Sequence, residues 1–112
     1  MLPVNRGDVW WIALDPSVGG EIRKTRPAVI VSNNAANSAL NRVVVVPLSS
    51  QVAKLYPGEA LVWFEGKQSK AMADQITTAA KERLRNRIGQ LSVTDLRAVE
   101  DAILLQLAIR RV

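Results

Sequence analysis

The chain has 112 residues, 48% of them hydrophobic, and it contains no cysteine and no histidine. This length suits a single domain spanning residues 1–112, with enough apolar side chains for one packed core. Without cysteine, disulfides and thiolate metal sites are excluded. Without histidine, the commonest general base and metal ligand is missing, so any catalysis must use carboxylates, hydroxyls, arginine or lysine.

The net charge is +5, from 15 Lys and Arg against 10 Asp and Glu. This balance favours a polyanionic partner, although a merely well-solvated basic surface would have the same charge. No apolar stretch approaches the roughly 20 residues needed to cross a bilayer, and residues 1–7 lack a signal-peptide pattern. We therefore expect a cytoplasmic protein that does not enter the membrane.

The first half of the chain predicts three strands and one long loop. Residues 8–14 are rich in aromatic and β-branched side chains and end at an Asp-Pro pair, which favours a first strand. Residues 15–25 contain glycine, proline and charges without a sustained period, so we expect a mobile hairpin loop. Residues 27–32 and 43–48 are nearly continuous apolar runs, typical of strands buried on both faces.

The second half predicts two more strands and a helix. Residues 60–64 and 73–78 are interpreted as strands, separated by a charged loop around Gly66 and Lys67. From Ser92 onward the apolar period becomes helical, with positions at Leu96, Val99, Ile103, Leu104, Leu107 and Ala108. The fold class is therefore mainly β with helices (α+β): a small barrel followed by a C-terminal helix.

Two signals support the ends of that helix. Ser92 is followed three residues later by Asp95, which resembles a capping box with aspartate in place of glutamate. Arg110 and Arg111 stand at the other end, where the helix dipole favours cations.

The first candidate site combines Glu21 with Arg26 and Pro27, where the long loop re-enters the sheet. Proline restricts its own backbone and that of the preceding residue, so we expect Arg26 to be held at the mouth of a buried strand. A guanidinium there could bind two phosphate oxygens and stabilise charge developing on phosphorus. The alternative is an arginine solvated at a strand edge or paired with Glu21.

The second candidate site is the polar cluster Ser49, Ser50 and Gln51, which follows an apolar strand. Without histidine, Ser49 cannot belong to a Ser-His-Asp triad, but its hydroxyl could donate to a phosphate oxygen. The alternative is that these residues only form a turn, because serine readily bonds its own backbone. Asp74 and Gln75 form a third candidate, which could read the edge of an unpaired base or cap a loop.

Basic and aromatic residues complete the candidates. Lys81, Arg83, Arg85 and Arg87 alternate along the chain and could follow a phosphate backbone, or could belong to a solvated connection. Adjacent residues of a strand point to opposite faces, so we expect one of the two tryptophans at positions 10 and 11 in the core and the other near the surface.

Together these segments resemble the MazF/PemK family of toxins. The matching pieces occur in family order and spacing, at residues 6–10, 14–21, 26–32, 46–51 and 73–76. The resemblance implies an SH3-like β-barrel closed by a C-terminal α-helix, a homodimer, and cleavage of single-stranded RNA at short sequences without a metal or other cofactor. It also implies a cognate antitoxin, for which we expect an acidic, partly disordered C-terminal segment.

The resemblance carries roles to individual positions. Arg26 matches the family's essential arginine, Ser49 its active-site hydroxyl, and Glu21 a loop acid implicated in some members. The hydroxyl is usually threonine, so serine is a departure that keeps the donor. The predicted RNA-binding residues are Gly19, Gly20, Asn33, Ser50, Gln51, Asp74 and Gln75.

The implied chemistry fits the composition. Family cleavage uses the ribose 2′-hydroxyl as nucleophile and leaves a 2′,3′-cyclic phosphate and a 5′-hydroxyl, so it needs no protein nucleophile. Positioning and electrostatics can supply the catalysis. The alternative functions are a non-enzymatic toxin of the same barrel fold that blocks a protein such as DNA gyrase, and a generic RNA- or peptide-binding module.

Overall fold

A computed structural model of the chain describes residues 3–14 and 25–110. Most of the predicted loop at residues 15–25, with Gly19, Gly20 and Glu21, lies outside these ranges. The elements in chain order are β1 (Asp8–Ala13), β2 (Thr25–Ile30), α1 (Asn34–Ala39), β3 (Arg42–Ser49), β4 (Glu59–Phe64), β5 (Lys67–Met72), β6 (Thr77–Ala80), β7 (Leu84–Gln90) and α2 (Val93–Gln106). Two single-turn 3₁₀ helices, Ala73–Gln75 and Lys81–Arg83, flank β6.

All of the strand pairs are antiparallel, in the spatial order β4-β5-β3-β2-β1-β7, and β6 also pairs with β3. The long strand β3 organises this curled sheet because it changes partners along its length. Its first residues pair with β6, its centre with β2, and its last two residues with β5. The predicted class, mainly β with a C-terminal helix, is confirmed.

The sheet has a hydrophobic core on each face. One core joins apolar residues of the central strands to Val99 and Ala102 of α2, and the other packs around Trp10, Ile12 and Ile30. Neighbouring residues Val45 and Val46 of β3 belong to opposite cores. The prediction that the apolar runs at 27–32 and 43–48 form strands buried on both faces is therefore confirmed for most of their length.

The paired tryptophans of β1 divide as predicted. Trp10 is only 3% exposed and belongs to a core, whereas Trp11 is 40% exposed. Alternation along a strand explains this difference, since successive side chains leave opposite faces.

The predicted fifth strand at residues 73–78 is confirmed only at its last two residues and is wrong at residues 73–76. Ala73–Gln75 form a 3₁₀ turn, and the strand that follows begins only at Thr77. The residues that we expected to continue a charged loop, Lys67–Met72, form β5 instead. The polar sequence of β5 has little strand propensity, but complete pairing with β4 satisfies its backbone.

The C-terminal helix starts as predicted and ends earlier than its apolar pattern suggested. The Ser92 hydroxyl accepts from the amide of Asp95 at 3.1 Å, so Ser92 is the N-cap. The Asp95 carboxylate does not complete a capping box; it accepts from the Trp63 amide of β4 at 2.7 Å. Leu107 is the C-cap and Ala108 lies beyond the helix, where both are exposed.

Helix α1 was not predicted from the sequence, and a buried amide fixes it to the sheet. Asn37 is 1% exposed; its side chain donates to the Ser32 carbonyl at 2.9 Å and accepts from the Ser32 hydroxyl at 2.5 Å. The Ser32 hydroxyl in turn accepts from the amide of Val44 at 3.0 Å. Within residues 3–14 and 25–110, no helix is both long and apolar enough to span a membrane.

Candidate active-site cleft

The pairing of β2 with β3 brings the two principal candidate residues together. Ala28 pairs with Pro47, so the same register continued for two residues places Arg26 opposite Ser49. Residues directly opposite in an antiparallel pair have neighbouring side chains. Arg26 stands near the start of β2 and Ser49 at the end of β3, where the core gives way to the surface.

Arg26 and Ser49 line a common cleft of about 460 Å³. Its walls come from β1, β2, β3, the β4–β5 hairpin and β7, and the lining side chains include the predicted pair Ser50 and Gln51. The remaining lining residues are Trp11, Pro27, Leu48, Phe64, Glu65, Lys67, Ser69 and Ile88. The cleft therefore joins hydroxyl, amide and cationic groups to an apolar, partly aromatic wall.

Arg26 is half-buried, and no carboxylate in the described part of the chain forms an ion pair with it. Pairing with Ile12 across β1 fixes its backbone. Its planar set of donors is suited to two oxygens of one phosphate. The proposed pairing with Glu21 involves a residue outside the described ranges.

The Ser49 hydroxyl takes part in a turn and also keeps a proton that it can donate. Its oxygen accepts from the amide of Gln51 at 3.1 Å, which is the geometry of a serine turn. A hydroxyl that accepts one bond retains its proton for donation. Ser49 therefore shapes the turn and can still donate to an anion in the cleft.

The β4–β5 hairpin contributes Glu65, Lys67 and Ser69 to the cleft, which the sequence analysis did not assign to a site. Phe64 pairs with Lys67 across a two-residue turn, and both turn residues, Glu65 and Gly66, have positive φ, at 52° and 72°. Positive φ at both positions is the requirement of a type I′ turn. The Glu-Gly dipeptide could have indicated this turn. The hairpin was not predicted, because the polar sequence after the dipeptide is not typical of a strand.

Three predicted RNA-binding residues lie outside this cleft. Asn33 caps α1 by accepting from the amide of Ala36 at 2.8 Å, and it lines a second cleft of about 620 Å³ beside α2. Asp74 and Gln75 are exposed on a 3₁₀ turn. The structure thus brings together Arg26, Ser49, Ser50 and Gln51, and the other three do not line this cleft.

The basic run at positions 81–87 is neither one extended face nor a plain connection. Arg83 donates to the Ala13 carbonyl at 3.1 Å and Arg85 to the Glu82 carbonyl at 2.8 Å. Arg87 pairs at 3.2 Å with Asp8, whose side chain is buried. Each of these three arginines is thus held by a partner within the protein.

No group of three or more acidic residues in the described ranges is arranged to hold a metal ion. What the cleft offers chemically is a guanidinium and a hydroxyl next to an apolar wall. This combination suits a phosphodiester whose attached base contacts the wall.

Comparison with known proteins decides the family. The family described as "PemK-like, MazF-like toxin of type II toxin-antitoxin system" matches this chain over residues 5–107. The chain belongs to this family. The match includes every candidate residue of the cleft.

Relatives of this MazF-like toxin agree in sequence and fold. Endoribonuclease MazF9 of Mycobacterium tuberculosis (strain ATCC 25618 / H37Rv) is 40% identical over 113 residues, covering 93% of this chain and 96% of the relative. A solved endoribonuclease from a mycobacterial species superposes with a TM-score of 0.82 at 24% identity, covering 100% of this chain and 98% of its own. A MazE–MazF complex from Deinococcus radiodurans gives 0.83 at 22% identity, covering 98% and 100%.

Proposed function

We propose that this toxin is a sequence-selective, ribosome-independent endoribonuclease that cleaves single-stranded RNA without a metal. The products are a 2′,3′-cyclic phosphate and a 5′-hydroxyl. The observation that carries the proposal is that Arg26 and Ser49 line the same cleft. The 40% identity to a protein named an endoribonuclease supports it.

In this proposal the protein stabilises charge and the RNA supplies its own nucleophile. The ribose 2′-oxygen attacks phosphorus, a P–O bond forms, and the bond to the 5′-oxygen of the next nucleotide breaks. Arg26 binds the non-bridging oxygens as negative charge builds on them, and the Ser49 hydroxyl donates a further hydrogen bond. Both groups bind the transition state more strongly than the ground state, which is the condition for catalysis.

Proton transfer requires a base for the 2′-hydroxyl. We assign this role to Glu21, because a carboxylate on the predicted loop before Arg26 could accept a proton from a bound ribose, while the departing 5′-oxygen takes a proton from water to become the 5′-hydroxyl. Gly19 and Gly20, in the same predicted loop, would let the backbone approach the RNA closely.

RNA recognition involves two surfaces in this proposal. Ser50 and Gln51 contact the RNA inside the cleft, beside Trp11 and Phe64, which can stack on bases. Asn33, Asp74 and Gln75 contact bases further along the strand. We also propose that the toxin acts as a homodimer.

The proposed inhibitor is a cognate antitoxin with an acidic, partly disordered C-terminal segment. A solved mycobacterial endoribonuclease is in complex with its cognate antitoxin, and it shares the present fold with a TM-score of 0.79 at 24% identity, covering 96% of this chain and 98% of its own. The net charge of +5 on this chain favours an acidic binding segment.

A cleavage assay tests the function. The purified protein is incubated with a long RNA in EDTA, and the new ends are identified chemically and mapped by sequence. We expect discrete cuts that carry 2′,3′-cyclic phosphate and 5′-hydroxyl ends. Rescue of activity only by added magnesium would refute the proposed mechanism. Intact RNA together with inhibition of a protein such as DNA gyrase would identify a non-enzymatic toxin.

A further inference from the structure

The connection between β3 and β4, residues 50–58, carries Ser50 and Gln51 into the cleft but is not held by regular pairing. No helix or strand occurs in it, and most of its residues are exposed. Such a segment loses conformational entropy when it is ordered, so specific contacts must fix its path.

A buried ion pair supplies the contacts that fix the path of this connection. Lys70 of β5 and Glu59 of β4 lie 3.2 Å apart, and their side chains are 9% and 8% exposed. The Lys70 ammonium also donates to the Lys54 carbonyl at 3.0 Å. The same oxygen of Glu59 accepts from the Tyr56 amide at 2.8 Å. Two residues of the sheet thus hold two backbone groups of the connection.

The Tyr56 ring adds a second contact to the same cation. The ammonium groups of Lys70 and Lys54 lie 5.7 and 5.5 Å from the centre of the ring, within the range of a cation–π interaction. The bond from the Tyr56 amide is also the largest influence on Glu59, and it lowers the pKa of that carboxyl below 4.5. Glu59 therefore stays ionised at neutral pH.

The position of Lys70 in the sheet links this network to the cleft. Lys70 pairs directly with Ser49 across β3 and β5, and its neighbour Ser69 lines the cleft. The residue opposite the proposed catalytic hydroxyl is thus the residue that holds the chain segment leaving it. A displacement of the connection would be transmitted to Ser49 through its turn with Gln51.

Stability alone gives a weak reason for burying such a pair. Replacing a buried ion pair by apolar residues of similar size is often neutral or stabilising, because the two charges no longer have to be dehydrated. What apolar residues cannot do is bond the Lys54 carbonyl and the Tyr56 amide.

We propose that Glu59 and Lys70 are positioning residues, which fix the β3–β4 connection and thereby hold Ser49, Ser50 and Gln51 in their working geometry. This inference rests on the proposed RNA cleavage. It adds two residues, neither of which lines the cleft, to those that the reaction needs.

The decisive variant is the double replacement Glu59→Leu with Lys70→Met, which removes both charges and keeps an apolar volume. We expect a melting temperature close to that of the unaltered protein, at least about tenfold lower kcat on RNA, and KM within about twofold, since small misplacements strongly affect the transition state. The Tyr56 amide should exchange with deuterium at least about tenfold faster, because its acceptor is gone. Arg97→Met, in an exposed pair on α2, is the control and should change none of these values.

Near-normal kcat in the folded double variant, or an unchanged exchange rate at Tyr56, would overturn the inference. If the double variant does not fold, Glu59→Gln replaces it, since glutamine keeps the volume and loses the charge. A neutral amide oxygen is a weaker acceptor than a carboxylate, so kcat should fall and exchange of the Tyr56 amide should quicken, both in smaller measure, and unchanged values would overturn the inference in the same way. If the unaltered protein does not cleave RNA, the proposed function fails, while the exchange measurement still decides whether the pair holds the connection.

Discussion

Arg26 and Ser49 line one cleft, and each lies two residues beyond Ala28 and Pro47, the last pair of β2 with β3. Pairing of Arg26 with Ile12 of β1 and of Ser49 with Lys70 of β5 fixes both backbones. This arrangement makes the two side chains a matched pair of donors, one charged and one neutral. Their substitutions should consequently affect the reaction more than the fold.

The first prediction concerns the charge. Arg26→Ala should lower the rate of RNA cleavage by roughly a hundredfold or more, because it removes a donor to the developing phosphorane charge. Arg26→Lys should also be largely inactive, since an ammonium cannot bind two oxygens with a planar fork. Cleavage of a fluorescent RNA measures the rate, and circular dichroism verifies folding. Arg97→Ala on α2 is the matched control, and near-normal cleavage by Arg26→Ala would exclude the assigned role.

The second prediction concerns the hydroxyl. Ser49→Thr should remain active because it keeps the donor, whereas Ser49→Ala should lose most activity. The alanine variant also loses the acceptor for the Gln51 amide, so exchange of that amide should be measured in both variants. Equal cleavage rates for Ser49→Ala and the unaltered protein would leave Ser49 only its part in the turn.

The third prediction concerns the free energy of unfolding at low pH. The hydrogen bond from the Tyr56 amide lowers the pKa of Glu59, burial raises it and Lys70 lowers it, and the net result is a pKa below 4.5. The folded state therefore favours the ionised carboxylate. The resulting stability is fully present above the unfolded pKa and is lost as pH falls through the folded pKa. The free energy of unfolding should therefore exceed that of Glu59→Gln by a constant amount from pH 7 to about 5, and by less below about 4.5. Urea titrations measure it; a difference that grows on acidification would contradict the sign.

The fourth prediction concerns the buried amide of α1. Asn37→Ala should lower the free energy of unfolding by about 1–3 kcal/mol, because the Ser32 hydroxyl and carbonyl lose their partner inside the protein. Ser38→Ala on the exposed side of the same helix is the control. Urea unfolding measures both. Equal midpoints for the two variants would show that water replaces the amide without cost.

The fifth prediction concerns inhibition. If an acidic antitoxin segment occupies the RNA-binding surface, a peptide of that segment should compete with an RNA whose 2′-hydroxyl is blocked. Its association rate should fall steeply with salt, since exposed charges are screened beyond roughly 8–10 Å near physiological ionic strength. Fluorescence anisotropy measures the competition. Independent binding of peptide and RNA would place the inhibitor at another site.

The sequence predicted the elements whose own side chains decide their structure. Residues 43–48 are apolar enough to require burial on both faces, and Ser92 with the apolar stripe marks the helix start. Arg26 and Ser49 could be identified as candidate residues from the sequence for the same reason, because each adjoins a strand with a clear apolar pattern. The role of each in the reaction stays a prediction.

Elements that depend on partners distant in the sequence could not be predicted from the sequence. The sequence of Lys67–Met72 is mostly polar, and it is a strand only because β4 pairs with all of it across the Glu65–Gly66 turn. Helix α1 is short and depends on the contacts of Asn37 with Ser32. The separation of Asn33, Asp74 and Gln75 from the Arg26 cleft is likewise a property of the assembled sheet.

The bond from the Trp63 amide to Asp95 has a consequence for how this toxin meets other chains. β4 is an outermost strand, and such strands offer free amides on which a foreign strand can build. Here a carboxylate of α2 already occupies one of those amides at 2.7 Å. A visiting peptide that extended the sheet at this border would first have to displace the helix. Asp95 therefore takes up one amide of the β4 edge that a strand added there would need.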